Sequence, residues 1–255
     1  MPPNTTVDCL DVSSDTITLS ARYDQIEVSA GPNKSYWAIT NWWHQFSTQA
    51  EDLNGLSMTF HNPDNSAVMA GDNNPMGFPS MFVGSYGGHT TAGSNLPKQV
   101  SALTSVPTIY ETNNSTLGSN ANHNATYDVW FTQSADPLPQ SAVSPGMGGA
   151  YLMVWMFQPT NRQPRGRNAH PNVTIPNVQG TWDVWIDTTN PPCISYVSHT
   201  PIDGLQYDLN DFIKDSVGNS YGVTSSMYLS VVFGGFEIWG NSDGLSVKRY
   251  CVNVK

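Results

Sequence analysis

The stretch Ala150-Tyr151-Leu152-Met153-Val154-Trp155-Met156 reads as a β-strand. Successive side chains of a strand point to opposite faces, so Tyr151, Met153 and Trp155 share one face and Leu152, Val154 and Met156 the other. The second set is a core face. The first, two aromatic rings and a thioether, suits either a second buried layer or a floor on which flat sugar rings stack. Similar β-branched or aromatic runs recur at 16–21, 36–43, 56–61, 79–83, 108–111, 126–132, 181–187, 193–199, 227–232 and 245–254, with turn-forming clusters between them.

No segment of useful length keeps apolar residues at i, i+3, i+4 and i+7, apart from Asp208–Asp215. There Asp208 can cap, and Leu209, Phe212 and Ile213 form an apolar stripe, which predicts one short helix. About a dozen strands and one helix predict an all-β fold, a two-sheet β-jelly roll sandwich (concanavalin-like) with one short helix. At 255 residues the chain is within the range of a single β domain spanning 1–255. The loop from Asp136 to Gly149, rich in Pro and Gly, is expected to border the working face.

Composition narrows the partners. Twenty acidic residues against ten basic ones give a net charge of −10, a field that repels phosphate backbones and argues against nucleic acid. No apolar run is long enough to span a membrane. The opening Met1-Pro2-Pro3-Asn4 lacks the features of a signal peptide, so secretion rests on the expectation that a leader has been removed. Sequons at Asn4, Asn33, Asn113, Asn114, Asn124 and Asn172 fit an extracellular chain but arise readily in so Asn-rich a sequence. The three cysteines, Cys9, Cys193 and Cys251, form no CxxC pair and suggest one disulfide and one free thiol. A bridge between Cys9 and Cys251 would pin both ends, although spacing does not fix the pairing. The six His residues show no metal-ligand spacing, and neither metal nor cofactor is expected. The reading is of a secreted monomer acting on a polysaccharide or oligosaccharide.

Three further segments carry candidate chemistry. In Val232-Phe233-Gly234-Gly235-Phe236-Glu237-Ile238-Trp239-Gly240, Glu237 stands between bulky apolar residues, which raises a carboxyl pKa as a general acid requires. In Asn41-Trp42-Trp43-His44 the adjacent indoles must face opposite ways, one to the core and one free to stack on a ligand. In Tyr127-Asp128-Val129-Trp130-Phe131, Asp128 is either a functional carboxylate or an edge guard.

Together, in order and over most of the chain from about Trp37 to Val254, these segments resemble glycoside hydrolase family 12. Asn41-Trp42-Trp43 is similar to the family's Asn-Leu-Trp, and Tyr127-Asp128-Val129-Trp130 to its Tyr-Asp-Leu-Phe. Leu96-Pro97-Lys98-Gln99-Val100-Ser101 resembles its approach to the cleft, and Gln163-Pro164-Arg165-Gly166 its loop after the central strand. Gly235-Phe236-Glu237-Ile238-Trp239-Gly240 is similar to its acid/base strand, which implies that role for Glu237. The resemblance implies a substrate platform at Trp43; with the strand faces and the basic loop read above, the expected substrate contacts are Trp43, Trp42, Met153, Trp155, Trp239, Arg162 and Arg165.

One departure stands out. The family's central strand reads Glu-Leu-Met-Ile-Trp with Glu as nucleophile, and this chain places Tyr151 there. Three readings follow. An inverting enzyme would pair Glu237 with another carboxylate, Asp128 or Glu111, about 6.5–9.5 Å away. Alternatively Tyr151 is itself the nucleophile, as in sialidases, with Asp128 or Glu111 as its base and an anionic sugar received by Arg162, Arg165 and Arg167. The third is a catalytically inactive relative that only binds glycan.

Overall fold

The computed structural model describes residues 16–19, 21, 23–30, 33–43, 50–54, 57–61, 74–113, 122–137, 149–160, 162–240, 242 and 244–255. Most of the 136–149 loop, together with Cys9 and His44, therefore lies outside the described residues. The first five strands are β1 (Thr16–Leu19), β2 (Gln25–Ser29), β3 (Ser35–Ile39), β4 (Ala50–Asn54) and β5 (Ser57–His61). Next come β6 (Ser80–Tyr86), β7 (His89–Thr90), β8 (Lys98–Gln99), β9 (Pro107–Thr112), β10 (Asn122–Thr132) and β11 (Ala150–Phe157). The chain closes with β12 (Arg167–Val173), β13 (Trp182–Asp187), β14 (Cys193–Ser198), β15 (Gly204–Asp208), α1 (Asn210–Gly218), β16 (Tyr228–Gly240) and β17 (Ser246–Val252).

These strands make two sheets. One has six strands in the order β1-β4-β5-β17-β9-β15; the other has eleven, running β12-β13-β14-β11-β10-β16-β6-β3-β2, with β7 on β6 and β8 on β16. Alternation decides which side chains enter the core between them. Tyr127, Val129 and Phe131 of β10, and Leu152, Val154 and Met156 of β11, are fully buried in that core. Their alternate neighbours, including Asp128, Trp130, Tyr151, Met153 and Trp155, turn to the open face of the larger sheet.

Two tyrosines of the smaller sheet tie the layers together. Tyr110 of β9 donates its hydroxyl to the Gly235 carbonyl at 2.7 Å, and Tyr250 of β17 donates to the Val232 carbonyl at 2.7 Å. They reach these main-chain acceptors because β16 is bare at Gly234, where an added Cβ would lie 2.6 Å from Tyr250 Cε2.

The helix begins two residues later than the sequence predicts and extends to Gly218. Asp208 nonetheless serves its start, accepting the main-chain N–H groups of Asn210 at 3.0 Å and Val106 at 2.6 Å. Phe212 holds the helix to the sandwich through edge contacts with Trp182, Tyr196 and Tyr207 at 5.1, 5.1 and 5.2 Å between centroids.

Gly234→Ala should push Tyr250 off its hydrogen bond and lower stability by about 1–3 kcal/mol, as overpacked cores do. Thermal unfolding checks this, and an unchanged melting temperature would show that the tyrosine contacts do not set the sheet spacing.

Candidate active site

The site forms where β10, β11 and β16 lie side by side. Asp128 is paired with Met153 on one side and Phe233 on the other, while Glu237 is paired with Asn124 further along the same strands. Trp43, Asp128, Trp130, Met153, Phe233 and Glu237 line one hollow of about 560 Å³ on the open face.

Glu237 is half-buried and clamped by Asn124. The Asn124 amide nitrogen donates to Glu237 Oε2, and its carbonyl oxygen accepts the Glu237 main-chain N–H at 2.9 Å. Removal from water, reinforced by the charge of Asp128, pushes the Glu237 carboxyl up to about 8, and the amide bond only partly offsets this. Asp128 is likewise half-buried, and desolvation lifts it to about 7 while the neighbouring Trp130 N–H favours its charged form. Its Oδ1 has no hydrogen-bond partner among the described residues.

The two adjacent indoles divide as alternation requires. Trp42 is 2% exposed in the core, so it is withdrawn from the substrate contacts expected of it; Trp43 is 38% exposed, its Nε1 donating to Asn41 Oδ1 at 3.1 Å. Trp155 and Trp239 face the open side yet are buried against each other at 6.3 Å, with the Arg162 guanidinium 5.4 Å from the Trp239 ring centroid. They support the floor from beneath and present no open ring to a sugar.

Tyr151 borders the same face, directly opposite Trp130, but its hydroxyl turns to the side and accepts a hydrogen bond from Arg165 Nη1. Arg165 is in turn held by Asp187 at 2.8 Å and Thr189 at 2.9 Å. Burial keeps the Tyr151 phenol protonated well above its ordinary range, although Arg165 pulls the other way. Glu111 does not join the group. It lies on β9 of the other sheet, where Tyr110 takes the inward direction, so Glu111 turns outward with Arg249 3.9 Å away.

Asn124 was missed as a site residue because its sequon pattern pointed to surface glycosylation; it is fully buried. Trp130, which the sequence offers only as a neighbour of Asp128 in its strand, lines the hollow with it. A wider depression of about 800 Å³, bounded by Arg167, His170, Asp187 and Tyr221, lies at the β12 edge, and its one carboxylate is tied to Arg165.

An aromatic-walled groove on the open face of a β-jelly roll, with acidic groups held near neutral pKa, is the form of a glycan-processing protein. The chain belongs to glycosyl hydrolase family 12, whose profile matches residues 34–255. "Probable cellulase Cel12b" of Mycobacterium tuberculosis is 28% identical over 163 residues, 64% of this chain and 99% of that protein. "Probable xyloglucan-specific endo-beta-1,4-glucanase A" of Aspergillus terreus is 29% identical over 161 residues, 62% of this chain and 59% of that protein. Among solved structures, a metagenome-derived family 12 endoglucanase superposes with a TM-score of 0.81 at 27% identity, covering 95% of this chain and 99% of its own. Endoglucanase cel12A from Rhodothermus marinus does so at 0.79 and 28%, covering 94% and 99%. No helix of the described residues is long and apolar enough to cross a membrane.

A carboxyl raised in the folded state binds a proton that the unfolded chain releases near pH 4, so its contribution to stability declines as pH rises from about 4 towards 7. Asp128→Asn removes that decline. The variant's melting temperature should exceed the wild type's by more at pH 8.5 than at pH 4; an equal difference at both would contradict the raised pKa.

Proposed function

We propose that the chain hydrolyses internal bonds of a polysaccharide of the cellulose or xyloglucan type, with Glu237 as general acid and Asp128 as the base that activates water. One observation carries this reading: both carboxyls open into the same hollow beside Trp43. Their order of titration suits the roles. Asp128, near 7, loses its proton first, and its charge helps keep the Glu237 proton in place up to about 8. Glu237 then protonates the leaving oxygen while Asp128 accepts a proton from the attacking water. The names of the relatives support the substrate class.

The same geometry counts against Tyr151 as nucleophile. Its phenol is held neutral, and the hydrogen bond it accepts comes from a cation, with no carboxylate among the described residues bonded to it to take its proton. Tyr151 in place of a nucleophilic carboxylate also favours a second reading, a relative that binds glycan without cutting it. We infer an extracellular setting from the disulfide at Cys251, since such bridges persist in oxidising compartments.

Reducing-end release from β-1,4-glucan, xyloglucan and a uronic-acid-bearing xylan tests the reading. Glu237→Gln and Asp128→Asn should each lower the rate by ~10²-fold or more. The kcat/KM profile should be a bell with its maximum between about pH 7 and 8, and NMR should show the α-anomer as first product. Retention of the β-anomer would overturn the base role of Asp128. Absence of product from every polymer, with binding that Trp43→Ala weakens, would establish the non-cutting relative.

A further inference from the structure

Trp37 of β3 stands in line with the hollow. It is paired across the sheet with Phe82 of β6, Phe82 with Phe233 of β16, and Phe233 with Asp128 of β10. Residues directly opposite one another share a face, so this row runs along the open side of the larger sheet. Three strand spacings, ~14 Å, separate Trp37 from Asp128. Phe82 and Phe233 fill the interval, and Trp37 packs against the same cluster while staying half-buried. A flat ring at that place, beyond the Tyr86 and Phe233 walls of the hollow, continues the surface on which successive sugar rings of a chain stack.

His89 occupies that surface. Its imidazole lies on the Trp37 indole with ring centroids 3.8 Å apart and planes inclined by 26°. At that separation the two rings are in contact, and a sugar cannot enter between them. The placement is built into the chain. Tyr86-Gly87-Gly88-His89 closes the β6–β7 hairpin, with Tyr86 and His89 paired and both glycines at positive φ, 61° and 83°, as a two-residue loop requires. Beyond it, Thr91 donates its main-chain N–H to the Gly84 carbonyl at 2.9 Å, and its Oγ1 accepts the Gly84 N–H at 2.8 Å. Ala92 is bonded to Ser35 in both directions: its N–H donates to Ser35 Oγ at 2.9 Å, and its carbonyl accepts the Ser35 N–H at 3.2 Å. Ser35 precedes Trp37 by two residues on the same strand. The segment that bears the imidazole is thus tied to the strand that bears the indole.

We propose that His89 is a specificity-determining residue: it caps Trp37 and ends the groove there, so the chain holds a shorter run of sugar than its row of aromatic side chains would otherwise accept. This rests on the glycan reading above and adds a limit at one end of the site. Uncovering an indole adds an apolar face and no charge, so the ligand remains a neutral β-1,4-linked chain and only its bound length changes.

Titration calorimetry with β-1,4-gluco-oligosaccharides of increasing length, on a Glu237→Gln background so that none is cut, reads the cap directly. With His89 in place, affinity should rise with length and then level off. His89→Ala should let the longer oligomers gain ~3- to 10-fold more, as one further stacked ring gives, while the shortest bind as before. Adding Trp37→Ala to His89→Ala should remove that gain, and Trp37→Ala alone should cost less than ~2-fold. Should His89→Ala unfold the hairpin, His89→Thr, a good strand former without a ring, gives the same comparison. A plateau that the His89 variants leave where it was, or a gain that survives in the double variant, would overturn the cap. So would a loss on Trp37→Ala alone as large as the expected gain, which would show the indole already open to sugar. Trp43→Ala separates the two levels: if it weakens every oligomer while the plateau ignores His89, only the cap fails. If neither these oligomers nor xylogluco-oligosaccharides bind, the cap fails together with the glycan reading.

Discussion

Two carboxyls taken out of water into one hollow set the terms for their surroundings. Left to burial alone each would hold its proton, since a charge costs more as its hydration is stripped away. The structure leaves the balance close to even. Asn124 supplies Glu237 with a donor while fixing its main chain, so the side chain is aimed as well as stabilised. Aromatic walls keep the local dielectric low, which makes the charge on Asp128 felt at Glu237.

Such aim needs a stiff frame. The register of β10 shifts between Asn122 and His123, between Ala125 and Thr126, and between Trp130 and Phe131. The outer two shifts bracket the segment that bears Asn124, Asp128 and Trp130, and bulges of this kind re-aim side chains beside working sites. Beneath it, Tyr110 and Tyr250 anchor β16 to the opposite layer by its own carbonyls. The strand carrying Glu237 is thus held from both sides, by β10 and β6 at its edges and by the tyrosines at its back.

The layered β architecture was legible because its central strands are strongly patterned, with β11 at Ala150–Phe157 running one residue past the stretch read as a strand. The strands that went unread lack that pattern. β12 carries Pro171, His170 and Arg167 and is mostly exposed at the end of its sheet, where propensity and alternation no longer apply. β2 and β15, also at the ends of their sheets, and β4, inside its sheet, are five residues long and mix polar with apolar side chains. At the site, Asp128 and Glu237 announced themselves by charge within their strands, Trp43 by its ring and Met153 by its place in the patterned central strand. What could not be read was the pairing across sheets and strands: it removed Glu111 to the other layer, turned Tyr151 towards Arg165 and gave Asn124 its hold on Glu237.

The free thiol of Cys193 bears on how the chain matures. Three cysteines permit three pairings, and Cys251 is the one seen bridged. Cys193 is wholly buried behind Tyr151 and desolvation pushes its thiol up to about 12, so in the native fold it is neither accessible nor ionised enough to exchange. A chain whose β11 and β14 dock before oxidation has already withdrawn its surplus sulfur from competition. One that oxidises first faces all three choices, and a mispaired Cys193 would keep the floor of the groove from closing.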